Sequence, residues 1–103
     1  MSAAGTDRER RFGEVFGRHR RDVVAYCGWR AASASDAQDA VAEVFLAAWR
    51  RVDEIPRGER ERVWLYATAR RVIANQRRSD RRRDALHERL RAQALVDGDR
   101  RRP

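Results

Sequence analysis

Asp36-Ala-Gln-Asp39-Ala-Val-Ala-Glu43-Val-Phe45-Leu-Ala-Ala-Trp49 decides how this chain folds. Val41, Val44, Phe45, Ala48, Trp49 and then Val52 recur at three- and four-residue steps, the spacing of one apolar stripe on an α-helix. Just before the stripe, Ser35-Asp36-Ala37-Gln38 has the hydroxyl and the side-chain amide of a capping box. Pro56 and Gly58 end the helix and predict a short loop.

The neighbouring segments repeat the pattern. Toward the N-terminus, Phe12, Val15, Phe16, His19, Val23, Tyr26 and Cys27 form a second stripe behind a capping box at Thr6-Asp7-Arg8-Glu9. That helix should fade in the Ala-Ala-Ser-Ala-Ser run at 31–35. Toward the C-terminus, a third helix should begin between Glu59 and Arg62, where acids suit a helix N-terminus. Leu65, Tyr66, Ala69, Val72 and Ile73 give its core face. Past Asn75 the chain is Arg-rich, with a thinner stripe of Leu86, Leu90 and Ala94, and Asp97 to Pro103 reads as unstructured or as the start of a linker. No strand-like alternation interrupts these segments. The expected fold is all-α, a compact bundle of three to four helices over residues 6–83. Residues 84–103 are expected as a C-terminal helix extension or the start of an interdomain linker.

At 103 residues the chain is long enough for one domain and a modest core, and too short to enclose a deep substrate cavity as well. No apolar run approaches the roughly 18 residues of a membrane span, and the first ten residues lack a secretory signal's apolar core. Cys27 is the one cysteine, which excludes an internal disulfide and fits a reducing cytoplasm. All 24 basic residues are Arg. GC-rich codon usage explains that choice without function, yet each cation is still a planar, permanently charged fork suited to phosphates and bases. Residues 1–55 hold nine Arg against nine acids, whereas residues 56–103 hold fifteen Arg against seven. A neutral half followed by a basic half points to two surfaces with different partners.

Catalysis finds little footing. His19 and Cys27 lie on an apolar stripe, where a histidine is ordinarily a satisfied core residue and a thiol ordinarily packs. His87 lies in the basic segment, and Gly13 with Gly17 do not make a phosphate loop. The chain is therefore read as no enzyme, with no catalytic residue, no metal site and no cofactor.

Two outward faces remain. On the second helix, Asp36, Asp39, Glu43, Leu46 and Arg50 line up, either as an ordinary solvated face or as a docking face for a basic partner helix. On the third, Trp64, Arg71, Asn75 and Arg78 fall at steps of seven, four and three, flanked by Arg70 and Arg77. Indole stacks on unpaired bases at about 1–3 kcal/mol each, guanidinium holds phosphate and Asn pairs with a base edge. The alternative makes Trp64 a core residue at a helix start and the Arg run merely solubilising.

The stretch Asp36 to Trp49 resembles the second conserved region of extracytoplasmic-function (ECF) sigma factors. Trp64-Leu-Tyr-Ala-Thr-Ala69-Arg-Arg-Val-Ile-Ala-Asn75-Gln-Arg77-Arg78 is similar to the promoter-melting and recognition helix of the same domain. The likeness covers about residues 10–83. It implies that Asp36, Asp39, Glu43 and Leu46 meet the basic clamp helices of the largest subunit of core RNA polymerase. It also implies that the loop from about Asp53 to Val63 holds a base flipped out of the minus-ten element. Trp64, Arg70, Arg71, Asn75, Arg77 and Arg78 would lie along the non-template single strand and adjoining duplex of promoter DNA. An anti-sigma factor is an implied partner, a membrane is not, and the implied location is the cytoplasm. Two positions depart from the family pattern: Ala42 stands where a Gln is frequent, and Arg71 where many relatives carry Asn. The helix-turn-helix domain of a complete ECF sigma factor is not in this sequence, so the chain is expected to be a piece of a longer protein. The competing reading is a helical protein-interaction module that docks on polymerase or an anti-sigma regulator without reading DNA.

Overall fold

A computed structural model describes residues 3–101. It consists of α1 (Ala3–Arg30), α2 (Ala34–Arg50), a short 3-10 turn (Val52–Glu54) and α3 (Arg60–Arg101), with no strand among the described residues. The all-α expectation holds, with three α-helices among the described residues.

The expected helix starts differ in detail. Thr6 lies inside α1, which already runs from Ala3, because the alanine-rich approach continues the helix backwards. The cap of α2 is Ser33, not Ser35. Ser33 is extended (φ −150°, ψ 166°), and its Oγ accepts the Asp36 backbone N–H at 3.0 Å. Asp36 in that first turn complements the helix dipole. The α2 terminus is tightened by the Arg51 N–H donating to the Ala47 carbonyl, and the chain then makes its 3-10 turn. Gly58 carries the left-handed φ of 77° that a side chain would resist, and its carbonyl accepts the Glu61 N–H at the α3 start.

The core is drawn from all three stripes: Val15, Val23 and Cys27 of α1; Ala40, Val44, Phe45 and Ala48 of α2; Leu65, Ala69, Val72 and Ile73 of α3, with Ile55 from the connection. Burying each Val, Leu, Ile or Phe side chain contributes about 1.5–3 kcal/mol. Phe12 meets Phe45 and Trp49 edge-on, and Phe16 meets Phe45 at 4.9 Å, closing one end of the α1/α2 seam. Phe16 and Trp49 lie at the rim of the core and remain partly exposed.

α3 is 42 residues long, about 63 Å at 1.5 Å per residue. Its first half packs in the bundle, and from Arg81 to Val96 every residue is exposed. Leu86, Leu90 and Leu95 therefore face solvent, although Leu86 and Leu90 fit the spacing of an apolar stripe. The segment from Asp97, read from sequence as unstructured or a linker start, is helical through Arg101. Strong helix formers and spaced polar pairs account for that: Arg91–Glu88 at 3.3 Å, and Gln93 donating to Asp97 at 3.1 Å. Arg102 and Pro103 lie outside the described residues.

Candidate nucleic-acid and partner interfaces

The orientation of α3 against α1 is set by a buried charge cluster. Glu61, in the first turn of α3 and 3% exposed, accepts from Arg11 at 2.7 Å and from Arg18 at 3.0 and 3.2 Å. His19 Nε2 lies 2.7 Å from the same carboxylate, and because a carboxylate only accepts, that nitrogen carries the proton. Arg11 also donates to the Ile55 and Pro56 carbonyls, which fixes the loop entering α3. Burial alone would raise the Glu61 pKa, but hydrogen bonds from Arg18, Arg11 and His19 outweigh it and hold it down to about 2. Glu61 is thus an anion at all ordinary pH values.

With α3 fixed in this way, its polar residues separate onto two sides. Arg70, Arg77 and Arg78 turn toward α1 and line a cleft of about 480 Å³ with Tyr26, Arg30 and Arg81. Arg71 and Asn75 turn toward α2, where a recess of about 340 Å³ also meets Glu43, Arg50 and Thr68. Asn75 further borders the recess that contains Asp36, Asp39 and Glu43. The seven-, four- and three-residue spacing does place Trp64, Arg71, Asn75 and Arg78 near one another on the helix, but they serve different grooves.

Individual contacts sharpen this. Arg78 donates to the Asn75 side-chain carbonyl. Arg71 reaches the Thr68 hydroxyl at 3.5 Å, and that hydroxyl donates to the Trp64 carbonyl at 2.9 Å. The Trp64 indole is half-buried against the core cluster, so only part of its ring faces outward. Arg77 donates to the Arg30 carbonyl at the end of α1. Arg70 and Arg81 make no side-chain hydrogen bond or ion pair among the described residues.

On α2, Asp39, Glu43 and Leu46 are exposed and Asp36 is half-buried. None of the three acids has an ion-pair partner among the described residues. The Asp36 carbonyl accepts from Gln76, which anchors this turn of α2 to α3. Trp49 lies nearby with Arg8 over its ring at 5.4 Å, and Arg8 pairs with Asp53 at 2.9 Å. Asp53 and Arg57 of the connecting loop border a recess of about 390 Å³ with Asp7, Arg8 and Arg11 of α1.

Sequence reasoning missed the Glu61 cluster and the contribution of α1 to the arginine cleft. Arg11 and Arg18, seven residues apart beside an apolar stripe, were the available signal for the first. Tyr26 fits the apolar stripe of α1, yet it stacks on Tyr66 at 5.0 Å and carries the Arg30 guanidinium 4.4 Å above its ring. His19, expected as a satisfied core histidine, is satisfied on one side only: Nε2 meets Glu61, while the buried Nδ1 has no hydrogen-bond partner among the described residues. Cys27 is fully buried, and burial pushes its thiol pKa up, which suits packing. Among the described residues no cluster of side chains is arranged to hold a metal ion, and no helix is long and apolar enough to cross a membrane.

Residues 15–83, more than half of the chain, match the family described as Sigma-70 region 2. No curated protein and no solved structure gives a match.

Proposed function

Since the chain belongs to the sigma-70 region 2 family, which serves polymerase binding and promoter recognition, we propose that it docks on core RNA polymerase through α2 and holds an opened minus-ten element along α3. The subtype that fits the two sequence motifs is the ECF group. The observation that carries this reading is the separation of unspent charge. Asp36, Asp39 and Glu43 lack ion-pair partners on one side of the bundle, and Arg70 and Arg81 lack them on the other.

Each surface suits a different ligand. The α2 acids beside Leu46 offer charge and an apolar anchor to the basic clamp helices of the polymerase's largest subunit. The α3 arginines offer forks to phosphates of the non-template strand, with Asn75 and the outer part of Trp64 available to bases. The recess beside Asp53 and Arg57 is the place for a flipped base. Unstacking a base costs a few kcal/mol, and stacking together with phosphate pairing offsets it, so the domain traps an open state. No bond is made or broken in this scheme, and no cofactor takes part. The site of action is the cytoplasm, and an anti-sigma factor is the fitting regulator.

The half-burial of Trp64 and the Arg78–Asn75 contact favour the alternative of a docking module that does not read DNA. Fluorescence anisotropy with a labelled non-template oligonucleotide decides between them. The proposed function requires binding that weakens with salt, with a log–log slope of about 0.7 per phosphate contact. Capture of polymerase fragments with no binding to the oligonucleotide would leave only docking.

A further inference from the structure

We propose that the end of α1 is part of the DNA surface: Trp29 stacks on an unpaired base while the α1/α3 arginine cleft holds the phosphates beside it. This rests on the DNA-binding reading above and extends it to a helix outside the α3 face.

Trp29 is 89% exposed, the most exposed of the large apolar side chains. Its ring has no aromatic or cation–π partner among the described residues, although Tyr26, one turn earlier in α1, stacks on Tyr66 of α3. A singly exposed apolar side chain is ordinary on a protein surface; what distinguishes Trp29 is its place, next in sequence to Arg30 of the arginine cleft with its ring open to solvent. Trp64, the platform expected from sequence, has already committed part of its ring to the core. Of the two indoles, Trp29 has the whole face to offer.

The cleft supplies the rest. Trp29 and Arg30 follow Tyr26 by three and four residues, so the three share one side of the last turn of α1. Arg30, Arg70, Arg77, Arg78 and Arg81 converge on the cleft, and among the described residues no acid lines it. Arg77 ties α3 to the terminal carbonyl of α1, which keeps the cleft mouth in place. Several guanidiniums with no counter-charge repel one another and gain most from a polyanion whose charges are regularly spaced. A phosphodiester strand has that spacing, and an adjacent aromatic platform selects the unpaired strand over a duplex, whose bases are already stacked.

The test uses the whole 103-residue chain, a labelled single-stranded oligonucleotide of mixed sequence and the matching duplex, at low salt. Trp29→Ala should weaken single-strand binding about tenfold and leave duplex binding nearly unchanged. Arg30→Ala with Arg81→Ala should lower the salt slope for the single strand by about 1.4. All three side chains are exposed, so helix content by circular dichroism should stay at the wild-type value. Equal single-strand affinity for Trp29→Ala and wild type overturns the proposal and leaves the α3 reading intact. Equal losses on single strand and duplex overturn the stacking role. If the wild-type chain binds neither, the DNA-binding reading falls and this proposal falls with it.

Discussion

Arg11 and Glu61, fifty residues apart, meet at 2.7 Å in the interior, with side-chain exposures of 10% and 3%. This contact joins the third turn of α1 to the first turn of α3, and Arg11 also holds the loop entering α3 through the Ile55 and Pro56 carbonyls. Removing Arg11 leaves Glu61 to Arg18 and His19 and takes the Arg11 donor from the Ile55 and Pro56 carbonyls, at about 1.5–3 kcal/mol. Arg11→Ala should therefore lower unfolding free energy by about that amount in urea titrations. Arg18, half-exposed on the same carboxylate, should cost less than about 1 kcal/mol when truncated to Ala. Equal effects for the two arginines would contradict the burial argument.

The same carboxylate predicts how stability depends on acidity. Its pKa is held to about 2 in the folded chain, against 4.5 for the free side chain. The unfolded state therefore binds more protons between these values, and the contribution of Glu61 is complete above pH 4.5. It is lost as pH falls from 4.5 toward 2. Thermal melts across that window should show a steep decline in wild type and a shallower one in Glu61→Gln. Parallel curves would show that other carboxylates govern acid unfolding.

The α2 cap offers a local check. Ser33→Ala removes the acceptor of the Asp36 N–H and should cost about 1 kcal/mol, whereas Ser35→Ala, exposed inside the first turn, should stay within about 0.5 kcal/mol. Chemical denaturation of both variants compares the two serines directly.

Reversing the α2 acids tests the separation of surfaces. Asp39→Arg with Glu43→Arg should abolish capture of a clamp-helix fragment from the polymerase's largest subunit, while single-strand DNA affinity stays level or rises. Both side chains are exposed, so the fold should tolerate the change. Loss of DNA binding in the same variant would show that one surface serves both partners.

The three helices were legible because apolar residues at three- and four-residue steps have few other uses. The cap of α2 was not, since Ser33 and Ser35 both precede suitable partners, and the end of α1 decides between them. Neighbours Arg70 and Arg71 differ by about 100° around the helix, so sequence grouped residues that α1 and α2 then divide between two clefts. Glu59 and Glu61 look alike in sequence, and only the packing of α1 shows which of them is buried. Tyr26 fits the apolar period and yet lines the arginine cleft, because a stripe's edge is both core and surface. The exposed Leu86 and Leu90 fit the period too, but no other element reaches the far half of α3.

The central claim, a promoter-recognising domain that acts on an opened strand, is tested most directly by a competition measurement. Core polymerase and the chain are mixed with a labelled non-template minus-ten oligonucleotide, and unlabelled single strand or duplex of the same sequence is titrated in. The account predicts that the single strand displaces the label at concentrations at least about tenfold lower than the duplex. Equal displacement by the two, or no retention of the label, would contradict it.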